Sequence, residues 1–191
     1  MKRIALIGES PNDTKSVAAL LSKRYQKYCT FFTMLKNIRG GELDDIKPGS
    51  VLVKKARIEY QIEKPDLVII IRDLDSLEDG DINHRRRRIA SYARLRRTLD
   101  KNTIHLLSIY EIEALLLADT KPINEKYGIS IEYGDDPMLQ HDPKGYLQLR
   151  CEYIESESPE LFEKLDFEKL LEVRFFARFI YSLEQKIIPI Q

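Results

Sequence analysis

Asp66-Leu67-Val68-Ile69-Ile70-Ile71-Arg72-Asp73-Leu74-Asp75 is the stretch that decides how this chain folds. The apolar run from Leu67 to Ile71 is its most strand-like segment, and it delivers the chain to Asp73 and Asp75. Side chains two apart on extended backbone project to the same side, so these two carboxylates can converge while Leu74 faces away. Like charges held that close repel unless a cation or a proton lies between them. A hard cation such as Mg²⁺ suits the pair, because it takes oxygen ligands and leaves room for substrate phosphate.

Working outward, strand-like and helix-like segments alternate. Arg3–Gly8 has the length of a buried strand. Ser10-Pro11-Asn12-Asp13 then reads as a helix start, with Ser10 as N-cap, Pro11 at the first helical position and Asp13 in the capping-box place. Val17, Leu20, Leu21 and Tyr25 follow on one helical face. Cys29–Leu35 reads as a second strand. Gly40-Gly41 and Pro48-Gly49 mark a loop, and Val51–Glu63 a helix. Beyond the acidic strand, Ile82–Leu99 is predicted as a helix with Ile82, Ile89, Ala93 and Leu99 toward the core. Ile104–Ser108 reads as a strand and Tyr110–Ala118 as a helix.

This β-α alternation predicts an α/β fold: a mostly parallel central sheet with helices on both faces, Rossmann-like in plan. In such sheets the functional crevice lies beyond the carboxyl ends of the strands. Asp73 and Asp75 fall there, as do Glu9 after the first strand and Glu111 and Glu113 after the fourth. Residues 1–120 form this α/β domain. The segment 121–191 is turn-rich, then helical over Leu161–Leu171 and Val173–Leu183. It reads as a C-terminal helical cap on the same sheet, because about 70 residues alone would have a marginal core.

Composition narrows the function classes. The 191 residues carry 31 Lys+Arg and 31 Asp+Glu, so no global basic field draws nucleic acid, although a local one can. Cys29 and Cys151 match no metal spacing and read as reduced thiols of a cytoplasmic protein; the histidines His84, His105 and His141 are too scattered for a zinc site. The apolar stretch after Lys2-Arg3 is too short for a signal segment, and no apolar run reaches membrane-spanning length. Neither a P-loop, a dinucleotide fingerprint nor a Gly-x-Ser-x-Gly elbow is present.

Ile7-Gly8-Glu9 together with Asp73-Leu74-Asp75 resembles the TOPRIM domain of topoisomerases, primases and overcoming-lysogenization-defect (OLD) nucleases. Tyr110-Glu111-Ile112-Glu113-Ala114, Asp142-Pro143-Lys144 and the terminal helices resemble a small bacterial TOPRIM-like family often encoded beside ATPases in phage defence. The tail follows that pattern loosely and lacks its Cys-Pro. The resemblance implies Mg²⁺ (or Mn²⁺) held by Asp73, Asp75 and one of Glu111 and Glu113, with Glu9 as ligand or general acid–base and Lys144 on phosphate. It also implies a nucleic-acid substrate and an ABC/AAA-type ATPase partner, and is compatible with a homo-oligomer.

The run His84-Arg85-Arg86-Arg87-Arg88 starts directly beyond the acidic loop. Arginine forks suit phosphate, so Arg85, Arg86 and Arg88 are candidate backbone contacts; the rival reading is a solvated helix paired with Glu78, Asp79 and Asp81. Two readings of function follow. One is a Mg²⁺-dependent nuclease; the other is a non-catalytic metal- or nucleotide-binding sensor subunit of an ATPase complex. A receiver-like phosphoacceptor domain fits less well, because receivers place their paired acids after the first strand.

Overall fold

The computed structural model describes residues 1–36, 38, 42–43, 46–74, 82–100 and 102–188, with the side chains of 82–85 and 87 left aside. Among the described residues the strands are β1 (Lys2–Ile7), β2 (Cys29–Thr33), β3 (Leu67–Asp73) and β4 (Thr103–Ser108). They form one sheet in the order β2-β1-β3-β4, and every pairing is parallel. The connecting helices are α1 (Pro11–Tyr25), α2 (Val51–Glu63) and α3 (Ile82–Thr98). After β4 come α4 (Ala114–Ala118), α5 (Lys121–Tyr127), α6 (Pro143–Cys151), α7 (Ser158–Lys164), α8 (Phe167–Glu172) and α9 (Arg174–Ile187). No helix among the described residues is long and apolar enough to cross a membrane.

The apolar stretch is central because both of its faces are covered. Leu67 to Arg72 are all buried, as strands of a helix-covered parallel sheet must be. Alternation sends Ile69 and Ile71, with Ile4, Leu6, Ile104 and Leu106, to one face. There they meet α1 and the helices that follow β4, including Phe162 of α7 and Phe176 and Leu183 of α9. Ala5, Ile7, Val68 and Ile70 project to the other face, against Leu52, Val53 and Ala56 of α2 and Tyr92, Leu95 and Leu99 of α3. The predicted α/β architecture with helices on both faces is therefore the observed one. The segment after residue 120 shares the first of these cores: α7 lies along α1, and α9 against β4.

Local chemistry accounts for the helix ends. The Ser10 hydroxyl accepts the Asp13 N–H, and the Asp13 carboxylate accepts the Ser10 N–H, closing the expected capping box ahead of Pro11. Ser50 caps α2 in the same way through Val53 N–H, and Lys64 ends it at φ 45°. Gly8, between β1 and that box, is held close: a Cβ there would sit 2.9 Å from Thr14 Cγ2.

Four details differ from the sequence expectation. α3 does not turn Ile89 and Ala93 inward; both are exposed, and Arg88, Ser91, Tyr92 and Leu95 are buried instead, while Leu99, just past the helix, is buried as expected. The true stripe contains an arginine, a serine and a tyrosine, which an inventory of aliphatic positions passes over. The Ile82 side chain lies outside the described residues. β2 stops at Thr33, and Tyr110–Glu113 remains a turn ahead of the short α4. The helix expected over Leu161–Leu171 is two helices, α7 and α8, divided at Leu165-Asp166, where Asp166 caps α8. The loop reading at Gly40-Gly41 falls outside the described residues.

Because Phe162 is fully buried in the core joining α1, α7 and the sheet, Phe162→Ala should destabilise the whole chain by about 3–5 kcal/mol. Urea unfolding followed by fluorescence and circular dichroism should show one shifted, coincident transition. An early transition confined to part of the signal would show that residues 121–191 melt separately.

Candidate functional site

Strand order 2-1-3-4 means that the chain leaves β1 in one direction for β2 and returns on its other side for β3. This reversal opens a crevice beyond the carboxyl ends of β1 and β3. Glu9 and Asp73 lie on either side of it, and they are joined. Glu9 Oε1 is 2.5 Å from Arg72 Nη1 and accepts the Asp73 backbone N–H at 3.3 Å. The Arg72 side chain is 1% exposed, whereas that of Glu9 is 22% exposed and still reaches the crevice. Arg88 comes in from α3 and donates to the Asp73 carbonyl oxygen at 2.7 Å. Tyr92 stands beneath them, its hydroxyl buried and held well above its ordinary pKa by desolvation, and Asp73 Oδ1 is also closed to solvent.

A second group forms where β4 ends. The Glu111 carboxylate accepts the Lys144 backbone N–H at 2.9 Å, so it sits at the N-terminus of α6, where a negative charge is favoured. Pro143 and the Asp142 cap, which takes the Gly145 N–H at 2.8 Å, fix that turn. It carries the Lys144 ammonium to Glu155 at 3.1 Å and to Glu113 at 3.9 Å. Asn12 donates to the other Glu155 oxygen at 3.2 Å, and the Tyr153 hydroxyl to Glu113 at 3.4 Å.

Glu113 is 3% exposed. Burial pushes its carboxyl up to about 7, and Lys144 only partly offsets this. Burial pulls the Lys144 ammonium down, but Glu113 and Glu155 outweigh it and raise it. Burial pushes Glu155 up, yet Asn12 and Lys144 hold it below the usual carboxylate range. Asp13, next to this group, is raised by burial.

The predicted residues therefore divide. Glu9 joins Asp73, while Glu111 and Glu113 join Lys144. Asp75 and the side chain of Arg85 lie outside the described residues, as do Glu78, Asp79 and Asp81. Arg86 is exposed, as a phosphate contact requires. Arg88 departs from that expectation: it is 5% exposed and directed at the Asp73 carbonyl. Among the described residues, no three or more His, Cys, Asp or Glu side chains are grouped to hold a metal ion. The donors present, Glu9 and Asp73 across adjacent strands, are hard carboxylate oxygens of the kind Mg²⁺ takes.

Sequence reasoning passed over Arg72, Tyr153 and Glu155. Arg72 had a signal, since a charge inside an otherwise apolar strand must find a partner. Glu155 lies in a stretch that reads as a linker, and only the folded chain brings it to Lys144. Compared with protein-family models, curated proteins and solved structures, the chain matches none.

The raised carboxyl of Glu113 makes stability depend on pH. Below its ordinary pKa of 4.5 the folded and unfolded chains both hold the proton, and no penalty arises. Between 4.5 and about 7 the unfolded chain ionises first, so stability falls as pH rises. Above that range the full penalty, about 3 kcal/mol, is present. Glu113→Gln should remove this slope, gaining on the wild type by that order between pH 4.5 and pH 8 in chemical denaturation. A wild-type-minus-variant difference that stays flat across this range would show that Glu113 ionises normally.

Proposed function

We propose that this chain is a TOPRIM-like nuclease that cleaves phosphodiester bonds of nucleic acid with Mg²⁺ or Mn²⁺, as the effector of an anti-phage system working beside an ATPase. The observation that carries the reading is that Glu9, just after β1, reaches the carboxyl end of β3 and accepts the Asp73 backbone N–H in the switch-point crevice. Asp73 and Asp75, with one of Glu111 and Glu113, would hold the cation. Bound there, the cation would offset phosphate charge and activate a water. Glu9, kept in place by Arg72, would receive the proton from the attacking water. Lys144 and Arg86, with Arg85 preceding it on α3, would hold the phosphates of the strand.

A second reading is favoured by a specific observation. Glu9 already has Arg72 as counter-charge, and Glu113 and Glu155 have Lys144. Acids compensated in this way suit a non-catalytic subunit that senses a metal ion or nucleotide for an ATPase complex.

One comparison separates the readings. Purified protein, alone and with the product of a neighbouring ATPase gene, is incubated with DNA, RNA and tRNA in Mg²⁺ or Mn²⁺. Nuclease action predicts cleavage that Asp73→Ala reduces on the order of 100-fold or more, with circular dichroism unchanged. Cleavage that survives Asp73→Ala rejects the metal assignment. Calorimetric Mg²⁺ binding with no cleavage under any of these conditions selects the sensor.

A further inference from the structure

A groove of about 410 Å³ runs between α3 and the edge strand β4, with Tyr92 between it and the crevice residues. Ile89, Tyr92, Ala93 and Leu107 form its walls, with His105 beside Leu107 and with Arg96 and Arg97 at its rim. The α3 members recur at helical spacing, and two of them, Ile89 and Ala93, are positions the sequence pattern assigned to the core. Ile89 is 47% exposed there, so the described residues leave part of this apolar surface uncovered.

Three features define what would fill it. The walls are apolar, and the Tyr92 and His105 rings meet edge to face at 4.9 Å, which suits a flat ring more than a flexible chain. His105 Nε2 is buried and makes no hydrogen bond among the described residues; buried polar atoms are nearly always satisfied, and a small turn of this groove-lining ring would bring the nitrogen to a ligand's polar edge. Burial, aided by Arg96, lowers the His105 pKa, so the ring offers one donor and one acceptor nitrogen rather than a further charge. At the rim, Arg96 and Arg97 make no ion pair with any described residue. Both are exposed, and two adjacent guanidinium groups left unpaired in this way suit an anion such as phosphate. They also argue against a second copy of the chain, whose symmetric contact would bring four arginines together. An alkyl carboxylate would match the rim but leave His105 unsatisfied.

We propose that this groove binds a single nucleotide unit, its base against Tyr92, Leu107 and His105 and its phosphate on Arg96 and Arg97. A free mononucleotide and one residue of a bound strand present the same chemistry. The site uses none of Glu9, Asp73, Glu111, Glu113 or Lys144, so it stands whether or not the crevice cleaves phosphodiesters.

Calorimetry in EDTA, which silences any metal-dependent step, tests this with AMP, GMP, CMP and UMP, the four nucleosides and a short single-stranded oligonucleotide. At least one monophosphate should bind, about tenfold more tightly than its nucleoside. Ala93→Phe, which places a ring in the groove from an exposed helix position, should weaken binding about tenfold or more. Arg96→Ala with Arg97→Ala should bring the monophosphate down to its nucleoside. An oligonucleotide bound well above the monophosphates, and equally sensitive to Ala93→Phe, makes the occupant part of a strand. Equal affinity makes it a free nucleotide. The proposal is overturned if the wild type binds neither monophosphates nor oligonucleotide, or if Ala93→Phe, folded by circular dichroism, binds as the wild type does.

Discussion

A guanidinium buried under the switch point of the sheet holds the carboxyl end of this fold together. Arg72 is the sixth residue of β3, and its side chain is almost wholly removed from water. A charge so placed is tolerable only with an opposite charge and hydrogen bonds around it. Glu9 supplies that charge from the neighbouring strand, and the same carboxylate oxygen takes the Asp73 N–H. The first loop is therefore tied to the end of β3. Gly8, just before Glu9, packs too close to Thr14 to carry a side chain without a shift. Arg88 adds a tie from α3 to the Asp73 carbonyl, so the loop after β1 and α3 are both bound to the backbone of Asp73.

This changes the electrostatic problem that the sequence poses. Strand-end carboxylates need a positive partner, and the sequence argument assigned that role to a metal ion. Among the described residues the chain brings its own cations: Arg72 for Glu9, and Lys144 for Glu155 and Glu113. For Glu113, with a carboxyl raised to about 7, a proton is a further partner near neutral pH. Any divalent ion in the crevice has these charges to contend with, since binding a carboxylate means displacing what already neutralises it.

The fold was legible because its information is local and periodic. Short apolar runs separated by capped helices specify a parallel sheet, and Ser10-Pro11-Asn12-Asp13 forms the capping box that its residue types call for. The face of α3 was misread because its buried stripe runs through Arg88, Ser91 and Tyr92. Tyr92 is inside through packing in the core, whereas Arg88 and Ser91 are inside through polar contacts with distant strands and loops, such as the Asp73 carbonyl. The Ile46 N–H bound to Ser91 Oγ is another such contact. The site was legible in position, since strand ends can be counted, but not in its pairings. Glu155 reads as a linker residue until α6 places Lys144 beside it.

Strand alternation also sorts the acids by face. Arg72 points with Val68 and Ile70 toward α2 and α3, so Glu9 and Tyr92 gather on that side. Asp73 follows Ile69 and Ile71 to the other side, and its register partner Ser108 follows Ile104 and Leu106 there. Glu111, Glu113 and Lys144 succeed that strand. An anionic substrate entering the crevice would thus meet cations from two directions: Lys144 from the α6 turn and the arginines along α3. What separates catalysis from sensing is whether Glu9 can release Arg72 when a phosphate and its metal arrive. A buried guanidinium released by one anion needs another at once, and a phosphate oxygen in the crevice has the chemistry to take that place.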